Sequence, residues 1–585
     1  MKPADDRRTE LACSGGSLNP PINRITRALL LLIVLVAAGG VEADPAADLA
    51  LEGGAVYTLD PGRPWAQAVA ISQGRIVYVG DTKGLAAHVG PETRRIDLHG
   101  RMLLPGFHDS HIHLLAGGTR NDRCQLRGLA WPDAVLAALR SCAARLAEGQ
   151  WLYGTDLDES VFAGRGPTRQ WLDAIAGERP ALVRDESGRL FWVNSAVLGT
   201  AGIDPDTPEP PNGVIERDAI TGEPTGVLRD AAVEPVWRLI PEPGPEQYRA
   251  ALQRASAAAN AVGITSIIDA RVTPTMLDAY RRADAAGELS VRVLASQPIA
   301  PKDGRGRIDE LISAASSLHG NRLSAGSAKI FVDGEFGQHT AALEASYQDR
   351  PGDRGTLRIE PAWLSETIRR LDAAGLQVHL HVMGDRAIRL ALDAIEGAIQ
   401  ANGPRRRRHQ LAHVALPGQE NLARMAALGV VADFQMLWAQ PDQEMRGAIG
   451  PLGEDRAREL LPIRSAFESG VTVVGGSDWP SESIDPLAAI QVALTRRPLA
   501  GGGTAWIPEQ RASLAEMLAA YTLNGARLAG REQLTGSIET GKAADLVVLE
   551  RNLFEVDPMN LQQVRVLLTL LDGVPVYRDP AIAWP

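Results

Sequence analysis

His111, Ile112 and His113 follow directly on the run Met102-Leu103-Leu104-Pro105-Gly106-Phe107. Two histidines at i and i+2 on a strand face the same way, because side chains alternate along extended backbone. At a strand end both imidazoles can close on one divalent ion, the ligation that zinc and its d-block neighbours favour. A chance pair in a core or on a surface has the same spelling. The pair therefore gains weight only from ligand types that recur downstream.

They do recur. Lys329 lies in Ala328-Lys329-Ile330-Phe331-Val332-Asp333-Gly334, where a lysine is costly to bury unless paired or modified. It snorkels, bonds Asp333, or is carboxylated by carbon dioxide into a group able to bridge two metals. His379 and His381 repeat the first spacing in Gln377-Val378-His379-Leu380-His381, with His381 nearer the strand end and the better ligand candidate. His379 is left as a supporting or substrate contact deeper in the fold. His413 closes Gln410-Leu411-Ala412-His413, and Asp478 follows Val471-Thr472-Val473-Val474-Gly475-Gly476-Ser477. Charged and imidazole groups avoid ordinary cores. Four more strand-like runs ending in such groups therefore point to one shared site.

The elements that must position them alternate strand and helix. Gly263 to Asp269, Ser327 to Asp333, Leu376 to His381, Leu411 to His413, Val430 to Phe434 and Val471 to Gly476 are strand-like, separated by alanine- and leucine-rich helical stretches. That rhythm predicts an α/β fold, a (β/α)8 TIM-like barrel spanning 106–530, whose strand ends converge at the C-terminal mouth. An open doubly wound sheet competes, but no Gly-rich phosphate fingerprint follows the first strand. The rhythm breaks between about 121 and 240, which predicts an insertion after the first barrel strand, lying over the mouth. Short strands at 44–105 and 531–585 predict a small β-sandwich built from both termini.

Arg24 and Arg27 precede the apolar stretch Ala28 to Val36, and Val41-Glu42-Ala43 offers small residues for cleavage. This order predicts a signal peptide over 1–43 and export to the periplasm or medium, with no stable membrane anchor after cleavage. The stretch is short for a bilayer span. Cys13 has no apolar run before it and is discounted as a lipid-attachment site. Cys124 and Cys142 then remain, for one disulfide or two buried thiols. A net charge of -11 argues against nucleic acid as the partner. Arg405-Arg406-Arg407-Arg408 is read as a solvated connection. A small-molecule substrate is expected, and a homodimer is left open.

The order HxH, Lys, His, His, Asp on such a barrel resembles the metal-dependent amidohydrolase superfamily. It narrows to the amidohydrolase 3 or YtcJ-like group, that of N-substituted formamide deformylase. The carrying segments are Leu104 to His113, Lys329 to Gly334, His381 to Ile388, Gly476 to Pro480 and Gly541 to Leu549, and the likeness covers nearly everything after Asp48. It implies one or two divalent ions, zinc first among them. His111, His113 and Asp478 would hold one, and His381 and His413 the other, with carboxylated Lys329 between. Asp478 would be the catalytic proton carrier for an activated water.

The implied reaction is hydrolysis of a C–N bond outside normal peptides, in an amide, formamide or cyclic amide. A deaminase, an ester or lactone hydrolase, and a non-catalytic binding barrel are the alternatives. Two departures stand out: Arg189 where relatives usually place a histidine, and Ala412 where a glutamate commonly precedes the ligand. Arg189, His339, His379 and Trp479 are candidate substrate contacts. For Arg189 and His339 a merely structural place fits equally. Asp109 is a candidate for orienting a ligand imidazole through its ring N–H.

Overall fold

Runs of aliphatic residues, each broken by a glycine or a polar residue, form the eight strands of one parallel sheet. They are β1 (Phe107–Ile112), β2 (Ile264–Asp269), β3 (Arg292–Pro298), β4 (Leu323–Phe331), β5 (Gln377–Val382), β6 (Gln410–His413), β7 (Val431–Phe434) and β8 (Val473–Gly475). Neighbours in sequence are neighbours in the sheet, from β1 through to β8. The two ends then meet: Asp478 N donates to His111 O at 2.7 Å and His113 N to Trp479 O at 2.9 Å. This is the (β/α)8 barrel that the strand–helix rhythm predicts. The computed structural model describes residues 46–584, apart from 121–122, 163–165, 186–189, 212, 305 and 442. The proposed signal over 1–43, Cys13 and Arg189 lie outside the described residues.

β3 escapes the apolar pattern because it opens on a buried arginine. Arg292 Nε and Nη2 donate to Asp545 at 2.6 and 2.8 Å, and Nη2 also reaches Asp572 at 2.5 Å. A buried guanidinium needs such partners, since an unpaired charge away from water is costly. The pair ties the start of a barrel strand to the C-terminal sheet.

That sheet runs Val574–Arg578, Val566–Leu571, Leu546–Leu549, Met102–Pro105, Ala55–Tyr57 and Trp65–Ala66. It therefore mixes strands from both ends of the chain. A four-stranded sheet faces it, and Leu49, Leu51, Val69 and Ile71 of the one pack with Leu103, Val548 and Leu568 of the other. The run from Leu49 to Asp60 holds two strands, Leu49–Glu52 and Ala55–Tyr57, in different sheets. Gly53 at φ +66° makes the corner.

The insertion is more regular than its proline and glycine content suggests. Six short strands form a mixed sheet in the order Gly213–Arg217, Pro224–Asp230, Leu190–Val193, Ala181–Asp185, Leu152–Leu157 and Cys124–Gln125. Cores on its two faces, around Trp192 and around Phe191, explain why it holds a sheet: adjacent residues of one strand serve opposite faces. Cys124 and Cys142 are joined as a disulfide. Among the described residues no helix is long and apolar enough to cross a membrane.

Candidate metal centre

Strand periodicity and register bring the ligand types together. His111 and His113 project from the end of β1, and the i,i+2 pair His379 and His381 from β5. Lys329 of β4 pairs in register with His379, and His413 pairs with Val382. His111 is the hub. Its Nε2 lies 3.4 Å from Lys329 Nζ and 3.5 Å from Asp478 Oδ1, and His113 Nε2 lies 3.1 Å from the same oxygen. The His413 ring is 5.0 Å from that of His111 and 4.5 Å from that of His381. The six residues that the resemblance implies as ligands thus form one chain of neighbours at the C-terminal end of the barrel.

The other nitrogen of His111 faces downward. Its Nδ1 lies 3.2 Å from Asp433 Oδ2 and 3.0 Å from His379 Nε2, and all three residues are buried. Gln410 Nε2 donates to the same carboxylate oxygen at 3.1 Å. Where the charge of Lys329 keeps Asp433 ionised against burial, that carboxylate only accepts; His111 Nδ1 then carries the proton and its Nε2 lone pair turns to Asp478 and Lys329. His413 is set likewise: Nδ1 is 2.7 Å from the Gln435 amide oxygen, which leaves Nε2 free, and the ring stacks on Trp438 at 5.1 Å.

Burial, and then the charge of Lys329 and the neighbouring imidazoles, hold His111 and His379 well below the ordinary imidazole range. Burial does the same for His381, with Lys329 next, and for His413, with His381 next. Neutral imidazole is the form that ligates. Lys329, only 1% exposed, is pushed down to about 7 by burial, against the pull of Asp478 and Asp433. An amine in that range is partly unprotonated near neutrality, which carboxylation requires. Burial pushes Asp478 up, but the close approach of His113 and the charge of Lys329 outweigh it and hold the carboxyl low.

A cation fits this set. Asp478 Oδ1 is buried without a hydrogen-bond partner while the lone pair of His111 Nε2 points toward it. Acceptors gathered around an unsatisfied carboxylate oxygen repel unless a positive charge sits among them. Two residues here are held in left-handed backbone, His413 at φ +75° and Asp478 at φ +53°. Each costs about 1–3 kcal/mol, a strain that collects at functional sites.

The other candidates stand around this set. His379 has no exposed surface and sits beneath His111, its Nε2 on His111 Nδ1. His339 is engaged by Asp349, with Nε2 2.9 Å from Oδ2, and packs on Tyr347. Trp479 lines a cavity of about 360 Å³ with Arg120, Gln125, Arg127 and Pro480. Asp109 does not orient an imidazole ring: its Oδ1 accepts from the backbone N–H groups of His111 and Ser477 at 3.1 and 3.0 Å. It pins β1 to the segment after β8 instead. Lys329 does not bond Asp333, whose carboxylate accepts from Ala342, Met383 and Gly384. Asp433 went unnoticed in the sequence, although one acid in Val431-Ala432-Asp433-Phe434 is the signal that could have found it.

Comparisons with known proteins place the chain in a family. A model described as the amidohydrolase family matches residues 94–577. The chain is 32% identical over 547 residues to Protein LONG AFTER FAR-RED 3 of Arabidopsis thaliana, covering 91% of this chain and 92% of that one. It is 31% identical over 551 residues to N-substituted formamide deformylase of Arthrobacter pascens, covering 90% and 98%. Among solved structures, an uncharacterized metal-dependent hydrolase from Pyrococcus furiosus superposes with a TM-score of 0.71 at 26% identity, over 87% of this chain and 99% of that one.

Proposed function

The chain belongs to the amidohydrolase family, and on that footing we propose that it hydrolyses a non-peptide C–N bond, in an amide, formamide or cyclic amide. The observation that carries the reading is the meeting of His111, His113 and Asp478 within ligand distance of one another. These three would hold a divalent ion, zinc first among the candidates. His381 and His413 would serve a second, with Lys329 in carboxylated form between them. An ion bound there lowers the pKa of water toward neutrality and polarises a carbonyl.

The chain's own groups do the rest. Asp478, held ionised by its neighbours, takes the water proton and returns it to the leaving amine. Asp433 and Gln435 fix which nitrogen of His111 and His413 is free. The deformylase relative supports an N-acyl substrate.

The test is a panel of N-substituted formamides, cyclic amides, lactones and amino-heterocycles offered to zinc-loaded protein. Hydrolysis of the amides is expected, with Asp478→Asn lowering turnover by roughly 10²- to 10⁴-fold. Turnover of lactones or amino-heterocycles alone would overturn the reading. His111→Ala and His381→Ala should lose bound metal with the fold intact. Full metal content in both would sink the ligand assignment.

Export is part of the proposal. The Cys124–Cys142 disulfide supports an oxidising compartment, since such bonds persist outside the reducing cytosol.

A further inference from the structure

The run Arg405-Arg406-Arg407-Arg408 is only in part the solvated connection that its composition suggests: the Arg406 side chain is 62% exposed, that of Arg407 8%. All four line one cavity of about 210 Å³, with His319, Ser324 and Gln377 among the other walls. Ser324 is the second residue of β4, Gln377 opens β5, and the arginine run leads into β6. The cavity therefore lies at the N-terminal end of the barrel, opposite the candidate metal ligands. That end of such a barrel serves stability rather than chemistry, so a molecule held there is not the substrate.

Alternate arginines take opposite partners, as side chains do along extended backbone. Arg407 Nε and Nη2 donate to the two carboxylate oxygens of Asp372 at 2.8 and 3.1 Å, and Arg405 Nη1 donates to Asp372 O. On the other side, Arg406 Nη2 and Arg408 Nη2 lie 2.5 and 3.4 Å from Glu532 Oε1. Four guanidinium groups thus meet two carboxylates, and two positive charges are left unmatched. Among the described residues, Arg405 Nε, Arg406 Nε and Nη1, Arg408 Nη1 and the His319 ring have no hydrogen-bond partner. In a chain of net charge -11, a cavity with two surplus cations and idle donors favours an anion. Guanidinium forks bind oxyanions through paired, charge-assisted hydrogen bonds. A phosphate brings two charges and three acceptor oxygens in one compact group.

We propose that this cavity binds a phosphate dianion, either inorganic phosphate or the terminal group of a small phosphate monoester. The site is separate from the hydrolytic centre and does not depend on that reading.

Calorimetric titration of the zinc-loaded protein at mildly alkaline pH tests it, with inorganic phosphate, glycerol phosphate and dimethyl phosphate as probes. The two dianions are expected to bind, and dimethyl phosphate, which carries a single charge, to bind at least roughly tenfold more weakly. Arg406→Gln and Arg408→Gln, each leaving the other arginine to pair Glu532, should weaken phosphate roughly ten- to hundredfold. Phosphate should also raise the thermal unfolding midpoint of the wild type, and raise it less in both variants. Tighter binding of glycerol phosphate than of phosphate identifies the monoester as the ligand, and equal or weaker binding identifies the free ion. Failure of both dianions to bind overturns the site, as does equal binding of dimethyl phosphate. Affinity that survives both arginine substitutions but disappears in His111→Ala belongs to the metal centre and overturns it as well.

Discussion

His111 Nδ1 lies 3.2 Å from Asp433 Oδ2, a contact between residues 322 positions apart that sets the direction of the imidazole lone pair. Burial pushes the Asp433 carboxyl well above its ordinary range, with Lys329 opposing, so its ionised form depends on positive charge nearby. Asp433→Asn should therefore weaken zinc binding about 10- to 100-fold, the usual loss when a carboxylate behind a ligating histidine is removed. Competition against a fluorescent chelator measures it. Unchanged affinity would remove Asp433 from any role at the centre.

Arg292 is predicted to anchor the barrel to the terminal sheet. Arg292→Met leaves Asp545 buried and unpaired, and should destabilise by about 3–5 kcal/mol. Thermal unfolding reads the loss. The double variant Arg292→Met, Asp545→Leu should recover much of it, because the orphaned charge is then gone.

Asp372 supplies a pH-dependent term at the other end of the barrel. Burial pushes its carboxyl up, but bonds from His409, Arg407 and Asn402 outweigh that and hold it well below its ordinary value. A depressed carboxylate stabilises above its unfolded pKa of about 3.9, and the contribution disappears as pH falls toward the folded value. Asp372→Asn should thus lower the unfolding midpoint near neutrality, by about 1–3 kcal/mol of stability. The gap to wild type should narrow below about pH 4. A gap independent of pH would contradict this account.

The Cys124–Cys142 bond closes a loop across 18 positions within the insertion. Its removal by Cys124→Ser should cost about 2–4 kcal/mol, felt by the insertion sheet. Limited proteolysis is expected to cut within that sheet first, while zinc content stays at the wild-type level. Loss of metal together with the disulfide would show that the insertion supports the centre as well.

Most of the residues that gather at the barrel mouth could be read before any fold was known, for a plain reason. Imidazoles at i and i+2 on a strand share a face, and a lysine or aspartate in an apolar run is conspicuous because burying it is costly. The barrel was legible for a similar reason, through alternation of strand and helix. The sheet inside the insertion was not: its strands are short and packed on both faces, so their pattern lacks the period-two alternation of a half-exposed sheet.

The unaided sequence determined which residue types stand at the strand ends, and hence that a cation is expected among them. Tertiary structure alone decided that Asp433 sits behind His111 Nδ1, leaving Nε2 to face Asp478 and Lys329. Local spacing dictates which face a side chain takes on its own element. Who meets it across the barrel depends on sheet closure, which brings together residues hundreds of positions apart.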